Sequence, residues 1–357
     1  MMELEGSVRP ALYLAIELAK KGHTVSIFSP FMTRKVKQYL HMNHIVPRDF
    51  GEKFTSVRLG SSILWFEAWA REAFLRLNSK RLGDGFCATV NFSQVVSIPC
   101  TVWYLQGPVS TALRDMERQL NLYLRIVYRL GKTVIDKADS RLVHEASKCS
   151  AYVIANSRFC AAMYSSLGVN VQEVIYPPID CKIFHPSTQK PSSEYVLAYL
   201  GKETKIPVLH SIASKGVKII IFGSRIPIFF SPMQQDLARH PNVEYRGRVR
   251  TEELVQLYSN ALFTVFPFSH EPFGYIPAES MACGTPVLTY GLQGPSESVI
   301  DKYSGWFVGS DEEMISKAVQ LWKEGYDQNI RKNCIAVASK LDKEIYTRKW
   351  LQILDNL

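Results

Sequence analysis

Residues 262–286, Leu262-Phe263-Thr264-Val265-Phe266-Pro267-Phe268-Ser269-His270-Glu271-Pro272-Phe273-Gly274-Tyr275-Ile276-Pro277-Ala278-Glu279-Ser280-Met281-Ala282-Cys283-Gly284-Thr285-Pro286, pass from a buried strand through a loop into a helix. The strand, Leu262–Pro267, is apolar without alternation, which is the pattern of a parallel sheet covered on both faces. Pro277 suits the first helical turn and Gly284 the position after the last, which puts Glu279 in the first turn, where the helix dipole favours a carboxylate. Gly274 lets a ligand approach bare backbone N–H groups. Together with the helix start, those groups form a nest for an anionic or hydroxyl-rich ligand. Glu271 and Glu279 stand eight residues apart and bracket that ligand from two sides.

Working outward, the second half repeats the strand-then-helix rhythm, with strands at Tyr195–Leu200, Val217–Phe222, Val243–Tyr245, Val287–Thr289 and Trp306–Val308. The first half does the same. Helix Pro10–Lys21 is stopped by Gly22 and followed by strand Thr24–Ser29. Strand Cys100–Leu105 runs into Gln106-Gly107-Pro108, and Ala151–Ala155 runs into Asn156-Ser157, either of which can cap the next helix. Tyr176-Pro177-Pro178-Ile179-Asp180 and Lys190-Pro191-Ser192-Ser193 punctuate the middle of the chain and mark a domain boundary. The expected class is α/β with two doubly wound Rossmann-like domains, residues 1–178 and 179–341. Such domains bind ligands at the carboxyl ends of their strands, here in a central cleft.

The 357 residues fit two domains at about 100 to 200 residues each. With 46% hydrophobic and 21% charged residues, collagen-like, coiled-coil and disordered classes are excluded. No apolar run reaches the roughly 18 residues of a membrane span. Met1–Gly6 has no basic segment ahead of an apolar one, as a secretory signal would, so a cytoplasmic protein is expected. Seven scattered cysteines, never spaced C-x-x-C, are expected to be buried free thiols. The net charge of +9 is uneven: residues 1–178 carry 22 Lys and Arg against 14 Asp and Glu, and residues 179–357 carry 20 against 19. No nucleic-acid motif accompanies the basic half, so an anionic lipid surface is the expected acidic partner, against the plainer reading of a basic solvated face.

Glu271-Pro272-Phe273-Gly274 followed by Ala278-Glu279-Ser280-Met281-Ala282-Cys283-Gly284-Thr285-Pro286 resembles the signature of the retaining glycosyltransferases of family 4, whose fold is called GT-B. The likeness extends to Gly22-His23-Thr24-Val25, Asn156-Ser157-Arg158-Phe159, Tyr176-Pro177-Pro178-Ile179-Asp180, Gly294-Pro295-Ser296-Glu297 and Gly305-Trp306-Phe307-Val308. It implies that Glu271 accepts hydrogen bonds from the donor sugar, that Phe273, Gly274 and Tyr275 line the sugar and phosphate, and that Glu279 holds the ribose. Arg248-Val249 resembles the segment against the nucleobase. The segment 342–357, with Tyr346 and Trp350, resembles the last helix crossing back to the first domain. Family frequency leans to UDP over GDP and to glucose over mannose or N-acetylhexosamine, with a lipid-linked or other glycan acceptor.

Several positions depart from the family pattern. Lys202 and Lys205 in Gly201-Lys202-Glu203-Thr204-Lys205 stand where the family has an Arg and a Lys on the diphosphate, and lysine is a point charge rather than a fork. Arg225, in Gly223-Ser224-Arg225 after the next strand, is a candidate for a further cation. Gly6-Ser7 replaces a Gly-Gly loop, and no apolar first strand precedes it; a start inside a longer reading frame is the expected reason. Gln106 replaces a histidine near the reacting sugar and can hydrogen-bond a hydroxyl but not take its proton. His270, beside Glu271, is a candidate donor contact. No Asp-x-Asp element ends a strand, so the transfer is expected to need no metal and no cofactor besides the nucleotide-sugar co-substrate. With no carboxylate placed as nucleophile, front-face departure and attack are expected, the leaving phosphate assisting deprotonation of the acceptor.

Residues Trp65–Leu82, with Arg71, Arg76, Lys80 and Arg81, and Leu113–Lys137, with Arg114, Arg118, Arg125, Arg129 and Lys132, pair apolar faces with basic rims. They lie on anionic membrane or turn their apolar faces into the core. A sugar-nucleotide epimerase or phosphorylase on the same fold, and a non-catalytic sugar-nucleotide-binding protein, are the alternatives. Donor turnover with and without acceptor separates them.

Overall fold

The computed structural model describes residues 6–50, 52–55, 61–75, 85–117, 120, 122–187, 191–223 and 232–356. The chain splits into two compact units, one of Met1–Ala112, Leu130–Pro178 and Lys343–Leu357, the other of Leu113–Arg129 and Ile179–Asp342. Up to residue 178 the elements are α1 (Arg9–Lys20), β1 (Val25–Ser29), α2 (Arg34–Met42), β2 (Ile45–Asp49), α3 (Ser61–Phe74), β3 (Val90–Asn91), β4 (Cys100–Leu105), α4 (Val109–Met116), α5 (Leu122–Lys148), β5 (Ser150–Ala155), α6 (Arg158–Ser165) and β6 (Glu173–Val174).

The strands of the first unit are all parallel and fall into two sheets, β1-β2 and β3-β4-β5-β6. Among the described residues no strand joins the two. Helix α1 serves both: Leu12 and Ala15 pack with Met32, Val36, Leu40 and Ile45, while Leu14 packs with Val102, Tyr104 and Ile154. The residues of β1 from Val25 to Phe28 are only half-buried, whereas five of the six in β4 are buried. Of the two candidate caps after β5, Asn156 and Ser157, it is Ser157 that caps α6, by accepting the Cys160 N–H. The final helix, α14 (Lys343–Leu354), belongs to this unit. Tyr346 Oη donates to the Pro10 carbonyl at 2.9 Å, and fully buried Trp350 lies 5.6 Å from both the Tyr104 and Phe92 rings.

The second unit continues with β7 (Val196–Leu200), α7 (Ile206–Ser214), β8 (Ile219–Gly223), α8 (Pro232–Arg239), β9 (Val243–Gly247), α9 (Thr251–Asn260), β10 (Thr264–Phe266), α10 (Tyr275–Ala282), β11 (Val287–Tyr290), α11 (Pro295–Ser298), β12 (Gly305–Val308), α12 (Asp311–Glu324) and α13 (Asn329–Ala338). Its six strands are parallel in the order β12-β11-β10-β7-β8-β9. Val196, Ala198, Ile219, Ile221, Val265 and Leu288 are buried with Leu209 and Ile212 of α7, which is why these strands are apolar throughout. The described cysteines are free thiols, but Cys87 and Cys149 are exposed. With Cys181 half-buried, that corrects the expectation of seven buried thiols: all three sit in segments between helices and strands rather than on the packed faces of elements.

Candidate functional site

Because every strand of the second unit runs the same way, all six carboxyl ends share one edge. Chain order reverses between β7 and β10, the place where doubly wound sheets hold ligands. The two loops leaving that point are stitched together. Lys205 N–H donates to the Pro267 carbonyl at 2.8 Å, Ser269 N–H donates to the Glu203 carbonyl at 3.0 Å, and Thr204 bridges Phe268. Thr204 Oγ1 accepts the Gly201 N–H at 2.8 Å and donates to the Tyr199 carbonyl, which fixes the first loop from within.

On this base sits the turn 271–274. Gly274 adopts φ +98° as the N-cap of α10, and a Cβ there would come within 3.0 Å of Pro295 Cγ and 3.3 Å of Pro277 Cγ. Only glycine suits both the conformation and the space. Glu271 Oε1 accepts the Phe273 N–H at 3.3 Å. Burial first, then the neighbouring Glu203 carboxylate, push the Glu271 carboxyl up to about 7, against the pull of the Phe273 amide, His270 and the Gly274 amide. A third loop clamps the turn: Glu271 N–H donates to Gln293 Oε1 and Gln293 Nε2 to the Ser269 carbonyl, both at 2.8 Å, and Gly294 N–H donates to the Glu271 carbonyl at 3.0 Å. Gln293 holds φ +70° to do this.

Helix α10 starts at Tyr275, so Glu279 is its fifth residue, in the second turn rather than the first. The positive φ of Gly274 begins the helix two residues before Pro277, a conformation the proline rule does not register. Glu279 is buried and accepts a hydrogen bond from Tyr258 Oη at 3.2 Å. Phe273 is buried edge-on to Tyr275, with ring centres 5.6 Å apart.

His270 is 4% exposed, and its Nδ1 meets Asp115 Oδ2 of α4 at 2.7 Å. A carboxylate only accepts, so Nδ1 carries the proton. Asp115→Ala is expected to lower unfolding stability by about 1–3 kcal/mol, with Asp115→Asn losing less because the amide oxygen still accepts; urea denaturation of both variants measures the difference.

The two candidate phosphate cations are engaged elsewhere. Lys202 Nζ is 3.4 Å from Glu203 Oε1. Lys205 Nζ pairs with Asp311 Oδ1 at 2.7 Å and lies 4.2 Å from the Tyr290 ring centre, while Tyr290 Oη donates to the same Oδ1 at 2.6 Å. Arg248 is exposed and Val249 half-buried in the loop after β9, the outermost strand. Gly6, at φ +63°, and Gln106 belong to the first unit, and Gln106 Nε2 donates to the Phe92 carbonyl at 2.9 Å. Ser224 and Arg225 lie outside the described residues. Glu203, Gln293, Asp115, Tyr258 and Asp311 complete the arrangement without being candidates from sequence. Of these, Gln293 alone carries a local signal, standing before Gly294-Pro295 at the end of a strand.

The architecture is the GT-B fold of glycosyltransferases. The solved structure of Anabaena HepE in complex with UDP and glucose is similar at TM-score 0.73 and 16% identity, over 99% of this chain and 97% of that one. Residues 214–341 match the family model described as glycosyl transferases group 1. The chain is 25% identical over 194 residues to a D-inositol 3-phosphate glycosyltransferase of Mycobacteroides abscessus, covering 49% of this chain and 42% of the relative. It is 26% identical over 245 residues to a glycogen synthase of Chlamydia muridarum, covering 64% and 49%. The matches thus span less than half the length of these curated relatives.

Proposed function

We propose that the protein is a retaining glycosyltransferase that moves a hexose, glucose in the leading case, from a UDP-sugar to a lipid-linked or other glycan acceptor without a metal ion. The observation that carries this reading is the Glu271–Gly274 turn at the reversal of strand order. There a carboxylate and the start of α10 meet at the edge where an α/β sheet holds a nucleotide. The glycosyl transferases group 1 match over 214–341 supports the class, and the HepE complex with UDP and glucose supports the donor.

Glu271 accepts hydrogen bonds from the sugar hydroxyls, the backbone of Phe273, Gly274 and Tyr275 lines sugar and phosphate, and Glu279, oriented by Tyr258, holds the ribose. Lys202 and Lys205 exchange their carboxylate partners for the diphosphate as charge develops on it. The bond from the anomeric carbon to the phosphate oxygen breaks with its electron pair leaving on the diphosphate. The acceptor oxygen forms its bond on the same face, and its proton passes to the departing phosphate.

The specific test is incubation with UDP-glucose, UDP-N-acetylglucosamine and GDP-mannose in the presence of lipid-linked glycan acceptors, reading released nucleotide and the anomeric configuration of the product. An α-linked product from an α-donor, at a rate unchanged by EDTA, is expected. A β-linked product overturns retention, and a rate abolished by EDTA and restored by a divalent ion overturns metal independence. The engagement of both lysines with carboxylates, and of the Gln106 amide with Phe92, favours one second reading, a non-catalytic sugar-nucleotide-binding protein. Saturable donor binding with no turnover above background selects it.

A further inference from the structure

Among the described residues no helix is long and apolar enough to cross a membrane. Helix α5 nevertheless leaves a row of large apolar side chains in solvent: Leu122, Tyr123, Ile126, Val127, Leu130 and Val134 are 49–82% exposed. At about 100° per residue these six positions fall in one arc of about 140°. The side of the same helix turned away from that arc is its packed side, where Tyr128, Leu142, Val143 and Ala146 are buried. Helix α3, the other amphipathic candidate, is mostly packed: Ala68, Trp69 and Ala73 are buried, Trp69 Nε1 donates to Asp139 Oδ1 at 3.0 Å, and its exposed large apolar side chains, Phe66 and Phe74, stand eight residues apart rather than in a continuous row. The basic residues Arg76, Lys80 and Arg81 beyond α3, and Arg118 ahead of α5, lie outside the described residues. The exposed arc of α5 is therefore not the ordinary inner face of a globular helix.

Charge decides what covers it. Residues 113–141 hold seven Lys or Arg against four Asp or Glu. Two of the four acids are turned away from the surface field: Asp139 is buried between Trp69 and the Ser110 N–H, and Asp115 is held by His270. Arg125, Arg129 and Lys132 lie within about 60° of one another, directly beside the apolar arc, with Arg125 half-buried and its Nη2 donating to the Leu120 carbonyl at 3.0 Å. Their acidic neighbours are Glu117 against Arg129 and Asp136 against Lys132. A second copy meeting this ridge by two-fold symmetry would bring two basic flanks together, whereas an anionic lipid surface takes both features at once: acyl chains for the arc, headgroups for the flank.

We infer that α5 is a membrane-docking helix that lies in the interface of an anionic bilayer, with Leu122, Ile126, Leu130 and Val134 inserted and the Arg129 and Lys132 flank on the headgroups. The inference does not rest on the donor chemistry proposed above, since binding to lipid is read without turnover. It is tested by flotation of the full chain with phosphatidylcholine vesicles, with and without phosphatidylglycerol, at low and at high salt. The wild type is expected to float with the phosphatidylglycerol vesicles and to be released in part by salt. The double variant Ile126→Asp/Leu130→Asp is expected to lose at least about tenfold in partitioning. The charge-reversed Arg129→Glu/Lys132→Glu is expected to lose its preference for the anionic vesicles. These positions are at the surface, and circular dichroism and the melting temperature check that each variant remains folded. Absence of flotation by the wild type, or equal flotation by the wild type and the Asp double variant, overturns the inference. So does a wild-type dimer in light scattering that the Asp variant converts to a monomer without any vesicle binding in either protein, which assigns the ridge to a second copy.

Discussion

Glu271→Gln is expected to lower donor turnover roughly 100-fold, the size of a lost charge-assisted hydrogen bond to the reacting sugar, while making the protein more stable above neutral pH. The second half of this result follows from the carboxyl being pushed up to about 7 from 4.5. Below about pH 4.5 the group is protonated in both folded and unfolded chains and contributes nothing. Between there and about pH 7 the unfolded chain releases the proton while the folded chain keeps it, so folding loses stability as pH rises; above 7 the penalty is constant. After allowance for partial solvent access it amounts to about 2 kcal/mol, or a melting temperature about 4–8 °C higher for the glutamine variant at pH 8 than for the wild type. At pH 4.5 the two proteins are expected to melt nearly together. The substituted amide keeps an oxygen for the Phe273 N–H, so the turn itself survives. A Glu271→Ala variant with near-normal turnover contradicts the assignment of this carboxylate to the sugar.

Gly294→Ala is the second large effect, and it acts through backbone. The added Cβ would overlap the Pro272 carbonyl oxygen and stand 2.5 Å from Phe273 Cα, so the loop after β11 must separate from the turn 271–274. Separation breaks the Gly294 N–H bond to the Glu271 carbonyl and pulls Gln293 away from Glu271 N–H and Ser269. A stability loss of about 3 kcal/mol, at the upper end of overpacking costs, lowers the melting temperature by about 6–12 °C. Donor turnover is expected to fall with it, because a displacement of about 1 Å in a positioning loop costs on the order of 100-fold. Gly309→Ala is the matched control: its Cβ would meet only the Glu313 carboxylate, with Oε2 at 3.5 Å, and no change in melting or turnover is expected.

Legibility in the sequence follows the range of the interactions. Strand Cys100–Leu105 is readable to the residue because a central parallel strand is apolar on both faces and bounded by a glycine-proline turn. Gly274 is readable because a glycine between a strand and a helix has few structural uses. Pro277 falls in the first turn of α10 as the sequence indicates, but Glu279 falls in the second, because the left-handed cap at Gly274 begins the helix at Tyr275. Glu203 and Asp115 are out of reach. One comes to Glu271 through hydrogen bonds between loops 66 residues apart, and the other meets His270 across 155 residues. Periodicity describes α3 and α5 equally well as amphipathic, yet Trp69 is buried and Leu130 exposed, since a helical pattern records a face and not the medium it contacts.

The nucleotide-sugar is expected at the carboxyl ends of β7 and β10, where chain order reverses. Hydrogen–deuterium exchange of the full chain with and without saturating UDP-glucose tests this placement most directly, because it reports location as well as binding. Slowed exchange in peptides covering 201–205, 269–282 and 291–297 is the expected result, weaker in Glu271→Gln and unchanged by EDTA. No protection with any UDP- or GDP-sugar, or protection confined to peptides elsewhere in the chain, contradicts the account.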